Sequence, residues 1–270
     1  MNIRRRVLIV SSVFLSTLIH GVHANPNHLE PILPYDALDI DDTIHSYHQA
    51  VFTSLIGKGW LPEMWMIERP SVSREYAVII RSREYGPNDP RPPENEPRQW
   101  VIDYVAPKEK IWRWKEVGGD SVSPDASPTR AVRGNRLLPD IRPTKDVERH
   151  RVLVTDDFAK VVYGAWLSTL QLTRYAEDGR RGLDGTTLEF CCANLFGQTW
   201  SPETGLPAML ADLGRRLGTL AQSAEKDRGP LLAEAESLAR KITKEAEAEQ
   251  IKLFGKKMSR LWGHSRRAVY

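Results

Sequence analysis

The hydrophobic positions near the start of the chain first follow a helical pattern. Over residues 39–55, apolar residues recur at i, i+3, i+7 and i+11, which indicates an amphipathic helix with the stripe Ile44, Tyr47, Val51 and Leu55. Asp41 or Asp42 can cap the N-terminus of this helix, and Gly57 follows its last apolar residue. The pattern therefore predicts one helix before any strand.

The pattern then changes to that of β-strands. Four runs are rich in β-branched and aromatic residues, at 60–67, 76–83, 99–107 and 110–114. A Pro-rich stretch between the second and third runs is neither helix nor strand and predicts a loop. Lys108-Glu109 can form the turn between the last two runs, so we expect these two to pair. The four runs together predict an antiparallel meander.

Residues 117–148 show little periodicity and are rich in Gly, Ser, Pro and Asp. We interpret them as a domain linker, a long surface loop or a disordered insert. A short strand follows at 150–154, and Thr155 then caps a helix with two acidic residues in its first turn. Another strand is predicted at 186–194, with a loop at 195–205.

Two helices are predicted at the end of the chain. One has a leucine seam of Leu206, Leu210, Leu213, Leu217 and Leu220. After Gly229-Pro230, a long final helix begins near Leu231. The order of elements predicts an α+β fold, with an antiparallel sheet of about five or six strands, helices packed on one face and a long C-terminal helix.

The first 24 residues have the features of a signal peptide, namely three arginines, an apolar core over 7–19 and a small-residue cleavage site ending at Ala24. The alternatives are an uncleaved anchor and export of the folded chain on its twin arginines. We expect a periplasmic or secreted protein. Residues 25–222 then form the α+β domain, with its loop or linker near 117–148, and 223–270 form the C-terminal helix with a basic end.

The charge distribution bears on which partners the chain can bind. The full chain has 38 Lys and Arg against 35 Asp and Glu, and the segment 1–24 contains three of the arginines and no acid. The mature chain is therefore neutral, and residues 252–270 carry six cationic residues and no acid, so the body is acidic. We expect no nucleic-acid binding, because such binders are basic on their body.

The two cysteines, Cys191 and Cys192, are adjacent in a predicted strand. Neighbours in a strand point to opposite faces, so we expect Cys192 in the core and Cys191 on the other face beside Glu189. Three interpretations remain open: two free structural thiols, a vicinal or intermolecular disulfide, and a reactive Cys191 with Glu189 as its neighbour. A nucleophilic cysteine would also need a nearby imidazole, and no histidine lies close in sequence.

Two further arrangements are candidate chemical sites. His45 and His48 share one side of the first helix but form only half of a metal site, so we expect neither metal nor cofactor. Asp103 and Glu189 are strand carboxylates that could form a hydrolytic pair if the fold brings them together in a cleft.

Two segments are candidates for binding. Gln198, Thr199 and Trp200 lie in the predicted loop, where Trp200 could stack on a partner or fold back over the sheet edge. The C-terminal segment carries apolar residues among cations, including Lys256, Lys257, Arg260 and Trp262, and could meet an anionic membrane or an acidic partner. The alternative is a docked helix with a solvated basic side.

The stretch DGTT at 184–187, the strand after it and GQTWSP at 197–202 resemble a pattern in uncharacterised exported bacterial proteins. The likeness covers roughly residues 152–221. The resemblance brings no activity, cofactor or catalytic residue to this chain.

The sequence favours an exported bacterial envelope protein that acts by binding. The expected partner is a protein, in which case the chain is inhibitor-like or immunity-like, or an envelope surface such as an anionic membrane. The alternative class is an enzyme, a hydrolase with its cleft on the sheet, and a third class is a structural or assembly accessory. Binding is preferred because the sequence contains neither a complete catalytic constellation nor a nucleotide fingerprint.

Overall fold

The computed structural model of the protein describes residues 29–31, 42–57, 62–83, 99–117, 136–174 and 185–265. The predicted signal peptide lies outside these residues. The helices are α1 (Asp42–Leu55), α2 (Asp156–Leu170), α3 (Gly205–Gln222) and α4 (Arg228–Ser265), with a short 3-10 helix at Glu225–Asp227. The strands are β1 (Met64–Pro70), β2 (Tyr76–Ser82), β3 (Trp100–Pro107), β4 (Trp112–Val117), β5 (Arg136–Ile141), β6 (Val147–Val154), β7 (Thr186–Cys192) and β8 (Leu195–Trp200).

The strands form a six-stranded sheet in the order β6-β3-β2-β1-β7-β8 and a two-stranded sheet of β4 and β5. Every neighbouring pair is antiparallel. The α+β class, the antiparallel sheet and the long C-terminal helix are therefore confirmed.

Helices α2 and α3 cover one face of the large sheet and α4 packs against both of them, so we call this side the three-helix face. The five residues of the predicted leucine seam on α3 are all buried in this core. Helix α4 contributes Ala235, Ala239, Ile242 and Ala246 to the same core, so the first part of the C-terminal helix packs against the domain. Helix α2 begins as expected, since the side chain of Thr155 accepts a hydrogen bond from the backbone of Phe158.

Helix α1 packs on the opposite face, which we call the α1 face. A second apolar cluster joins Val51 and Leu55 of the helix to Trp65, Ile79 and Cys191 of the sheet. The central strands are thus buried on both faces, which explains why β1 begins with four consecutive apolar residues, Met64–Ile67, instead of alternating with polar ones.

In three regions the observed strands differ from the sequence-based expectations. The run at 110–114 does not pair with its predecessor β3, because β4 pairs with β5 in a separate sheet and β3 pairs with β2 and β6. The region near 117–148 contains β5 and the start of β6. The many Gly, Ser, Pro and Asp residues of this region hid them, and β6 is an edge strand, which tolerates polar and charged residues. Residues 118–135 lie outside the described part.

The predicted loop at 195–205 is the third such case, because its first six residues form β8. Ala193 and Asn194 both have positive φ, 50° and 64°, and turn β7 directly into β8 as a two-residue hairpin.

The start of α4 also differs from the expectation. Gly229-Pro230 does not precede α4 but lies in its first turn, where proline's missing N–H costs little. Within the described ranges, no helix combines the length and the apolar character that crossing a bilayer requires.

Candidate functional site

The α1 face carries a buried ionic cluster centred on Glu189. Arg69 of β1 donates a hydrogen bond of 2.5 Å to this carboxylate, and both side chains are almost fully buried. His48 of α1 places Nδ1 3.6 Å from the same carboxylate oxygen. Register explains the pairing of Arg69 and Glu189, because Ile67 lies opposite Glu189 and Arg69 is therefore its diagonal neighbour on the same face.

A tyrosine–carboxylate pair lies on the same face. The hydroxyl of Tyr47 donates to Glu75 at 2.8 Å, and the second oxygen of Glu75 accepts from the backbone N–H of Ile111. Burial, and then the charge and hydrogen bond of Glu75, raise the pKa of Tyr47. The hydroxyl therefore stays protonated and serves as a hydrogen-bond donor that fixes α1 on the sheet.

Asp103 is the centre of a third cluster, at the β6 end of the α1 face. Its carboxylate is fully buried and accepts hydrogen bonds from Arg151 (2.6 and 3.2 Å), Arg81 (3.3 Å) and Arg149 (3.3 Å). Arg151 stands directly opposite on β6, and the other two are diagonal neighbours. Three guanidinium groups therefore share this one buried carboxylate.

A fourth polar cluster, centred on Glu68, lies on the three-helix face. Arg215 of α3 binds Glu68 through Nε and Nη2, at 3.0 and 3.2 Å, and Tyr76 donates to the same carboxylate at 2.5 Å. Burial, followed by the charge of Glu68, raises the pKa of Tyr76. This pair connects α3 to the sheet through a polar contact within an apolar interface.

The two cysteines lie on the faces expected from strand alternation, with Cys192 in the three-helix core and Cys191 in the α1 cluster. Both are free thiols. Burial raises the pKa of Cys191 to about 11, and a backbone hydrogen bond from Asn194 offsets this only in part. Burial, and then the charge of Cys191, raise the pKa of Cys192 to about 12. At neutral pH both are protonated, which does not favour the reactive interpretation of Cys191.

The carboxylates that sequence reasoning paired, Asp103 and Glu189, are far apart. Both face α1, but β1 and β2 lie between β7 and β3, so three strand spacings separate them by about 14 Å. Hydrolytic carboxylate pairs need roughly 5–9.5 Å. A cavity of about 220 Å³ lies elsewhere, beside β4 and β5, and four of the charged residues that line it form the ion pairs Arg113–Glu109 and Arg142–Asp140.

The histidines considered for metal are only partly described. The side chain of His45 lies outside the described residues, and His48 is a neighbour of Glu189. Among the residues that the structure describes, no three His, Cys, Asp or Glu side chains are grouped as a metal would need.

The proposed binding residues of the predicted loop lie instead in strand β8. Gln198 pairs with Glu30 through two backbone hydrogen bonds of 2.7 and 2.8 Å. Thr199 is buried, and Trp200 is half-buried against Gly185. These residues therefore belong to the β8 edge strand of the sheet and not to an open loop.

The C-terminal candidates Lys256, Lys257, Arg260 and Trp262 belong to α4, whose backbone is helical to Ser265. Their side chains lie outside the described part. Just before them, Ile251 and Phe254 are 73% and 65% exposed. Within the described side chains, α4 therefore exposes two large apolar residues after its packed part.

No protein-family model, curated protein or solved structure matches this chain. The function must therefore be argued from the residues and contacts of this chain alone.

Sequence reasoning missed most of the ionic clusters. Arg69, Glu75 and Arg151 were not selected, although each is a charged residue inside or next to an apolar strand. That signal is visible in the sequence, since a charge in a strand buried on both faces requires a counterion. The identity of the counterion was not visible, because the residues concerned are up to 120 positions apart.

Proposed function

We propose that this protein is an exported bacterial envelope protein that acts by binding, and that the C-terminal part of α4 attaches it to an anionic membrane surface. The observation that carries the proposal is the exposure of Ile251 and Phe254 on either side of Lys252. Exposed large apolar residues beside cations are typical of helices that lie in a membrane interface.

The geometry of α4 supports this role. Ala246 is its last fully buried residue among those described, and about 28 Å of helix follows it. Ile251 and Phe254 lie roughly 80–140° around the helix from Ala246, and so away from the packed side. The sequence continues with Lys256, Lys257, Arg260 and Trp262, which extends the same combination of cations and apolar residues.

The remaining functional expectations have less support. The hydrolase alternative rests on Cys191 and Glu189. Cys191 is a buried, protonated thiol, and Glu189 is ion-paired with Arg69. A protein partner remains part of the proposal, with the body of the domain as the surface that contacts it.

Co-sedimentation with liposomes tests the membrane role. We expect the mature chain to bind phosphatidylglycerol vesicles but not phosphatidylcholine vesicles, and raised salt to weaken binding. Ile251→Ser/Phe254→Ser should weaken binding at least about tenfold, because each side chain contributes on the order of 1.5–3 kcal/mol when buried. Val72→Ser is the matched control, since Val72 is 88% exposed and lies outside α4.

A chain that lacks residues 252–270 but binds the vesicles unchanged would contradict the membrane role. Fractionation of cells that produce the full chain tests export. The expected product is periplasmic protein that begins at Asn25, and full-length cytoplasmic protein would contradict it.

A further inference from the structure

We propose that the outer edge of β6 binds an extended acidic peptide segment of a partner protein, which adds to the sheet as a strand and places its carboxylates on Arg149 and Arg151. The inference rests on the proposed function in one respect, namely that the body of the protein acts by binding a protein. It adds the surface and the chemical class of that partner.

The first support is the position of β6 at the end of the six-stranded sheet. Its eight residues pair with β3 on one side only. Within the described residues, no other strand pairs with its outer side. A long edge strand presents a row of backbone donors and acceptors that an extended peptide can complete.

The second support is the excess of positive charge. Arg149 and Arg151 have 40% and 49% of their side chains exposed, whereas the Asp103 that they share is fully buried. Arg149 donates one hydrogen bond to Asp103 and Arg151 donates two, out of five N–H groups on each guanidinium. A single arginine suffices to pair a buried carboxylate, so the surplus is available to an anionic ligand.

The third support is spacing. Arg149, Arg151 and Leu153 occupy alternate positions of β6 and therefore share one face, about 6.8 Å apart along the strand. Leu153 is 52% exposed. An added strand repeats the same spacing, so acidic residues at every second position would meet both arginines, and an apolar residue would follow at Leu153.

A second copy of this chain is a less suitable occupant of the edge. Antiparallel pairing of two β6 strands would bring arginines of the two copies together on one face, and like charges opposite one another destabilise a sheet. An acidic strand removes this repulsion and matches the charge of the edge.

Fluorescence anisotropy with a labelled peptide of alternating Glu and Val tests the inference on the mature chain. We expect binding that weakens as salt is raised, and that is lost when Lys replaces Glu in the peptide. Arg149→Gln/Arg151→Gln should reduce the affinity about tenfold or more, since a hydrogen bond to a charged group is worth about 1.5–3 kcal/mol. Arg240→Gln, on an exposed arginine of α4, is the matched control and should leave binding unchanged.

Two further measurements decide the mechanism. The same peptide with N-methyl groups on its edge-facing amides should bind at least about tenfold more weakly; equal binding would overturn strand addition and leave simple charge attraction. If the double variant unfolds, the single variant Arg149→Gln tests the inference instead. This variant should keep its fold, because the hydrogen bond that Arg149 donates to Asp103 is long, at 3.3 Å.

Liposome binding separates this inference from the membrane role of α4. The arginine variants should bind phosphatidylglycerol vesicles as the unmodified chain does. Loss of vesicle binding in these variants would assign the arginines to lipid and overturn the peptide site. Absence of peptide binding with vesicle binding intact would reject the edge site alone, whereas absence of both would reject the proposed function.

Discussion

Arginine is the partner of three of the four buried carboxylates in the described residues, namely Glu68, Asp103 and Glu189. The fourth, Glu75, is satisfied by Tyr47 and a backbone N–H. The fixed fork of a guanidinium can reach a carboxylate across a strand and stays charged in an apolar setting. These pairs link neighbouring strands and helices to one another. Because the carboxylates are buried, removing the partner leaves a charge away from water, which lowers the free energy of unfolding.

At the residue scale, we expect Arg69→Met to lower the free energy of unfolding by about 3 kcal/mol or more, because it leaves the buried carboxylate of Glu189 without its arginine. Arg69→Met/Glu189→Leu should recover most of that loss, since an apolar pair needs no counterion. Urea denaturation monitored by tryptophan fluorescence measures both.

The control for this prediction is Arg240→Ala, which breaks an exposed pair with Glu236. It should change stability by less than about 1 kcal/mol. A loss equally small for Arg69→Met would show that Glu189 gains hydration or another partner, and would contradict the prediction.

At the scale of elements, α3 depends on small residues to approach the sheet. Gly214 faces Met66 of β1 so closely that an added Cβ would lie 2.4 Å from the Met66 sulfur. Met66 is itself fully buried, so its side chain has little room to move. The leucine seam determines which side of α3 faces the sheet, and Gly214 determines how near the helix can come.

We therefore expect Gly214→Ala to destabilise the protein by about 1–3 kcal/mol through overpacking. Gly229→Ala is the matched control, because nothing lies within 4 Å of the added Cβ. That substitution should be neutral or stabilising by up to about 1 kcal/mol, as expected from helix propensity. Thermal unfolding of both variants provides the comparison, and equal midpoints would refute close packing at Gly214.

At the scale of the whole molecule, two buried thiols and two half-buried phenols respond to alkaline pH in the same direction. Burial raises the pKa of Cys191 to about 11 and that of Cys192 to about 12, from an ordinary value of 9.0. The pKa values of Tyr47 and Tyr76 are also raised. The unfolded chain therefore releases these protons at lower pH than the folded chain does.

Because the folded pKa values are raised, their contribution to stability is complete below about pH 9 and is lost as pH rises towards 11–12. We expect the free energy of unfolding to fall by about 1 kcal/mol or more per pH unit above this point. Urea titrations at successive pH values measure this slope.

The double variant Cys191→Ala/Cys192→Ala should lose less stability above about pH 9, because it has no thiol to ionise. The loss of stability that comes from ionisation of Tyr47 and Tyr76 should remain. A free energy of unfolding that stays constant up to pH 11 would mean that the thiols and phenols are hydrated in the folded protein.

Local sequence patterns predicted the elements whose signal lies within a few residues. The described part of the apolar stripe of α1 (Tyr47, Val51 and Leu55), the Thr155 cap of α2, the leucine seam of α3 and the opposite orientation of Cys191 and Cys192 are all confirmed. Each depends on the period of a helix or a strand, which the chain carries in its own order of residues. The signal peptide and the membrane-binding tail are predictions of the same local kind and await their experiments.

Pairing between distant segments could be decided only by the tertiary structure. The sequence does not show that β4 pairs with β5 rather than β3, that Gln198 and Trp200 belong to an edge strand, or that Glu189 meets Arg69. These choices depend on sheet register and on which face each helix covers, and both follow from the combined packing of the whole chain. The surplus of arginine at the β6 edge became visible for the same reason, because only register gathers three arginines around one buried aspartate.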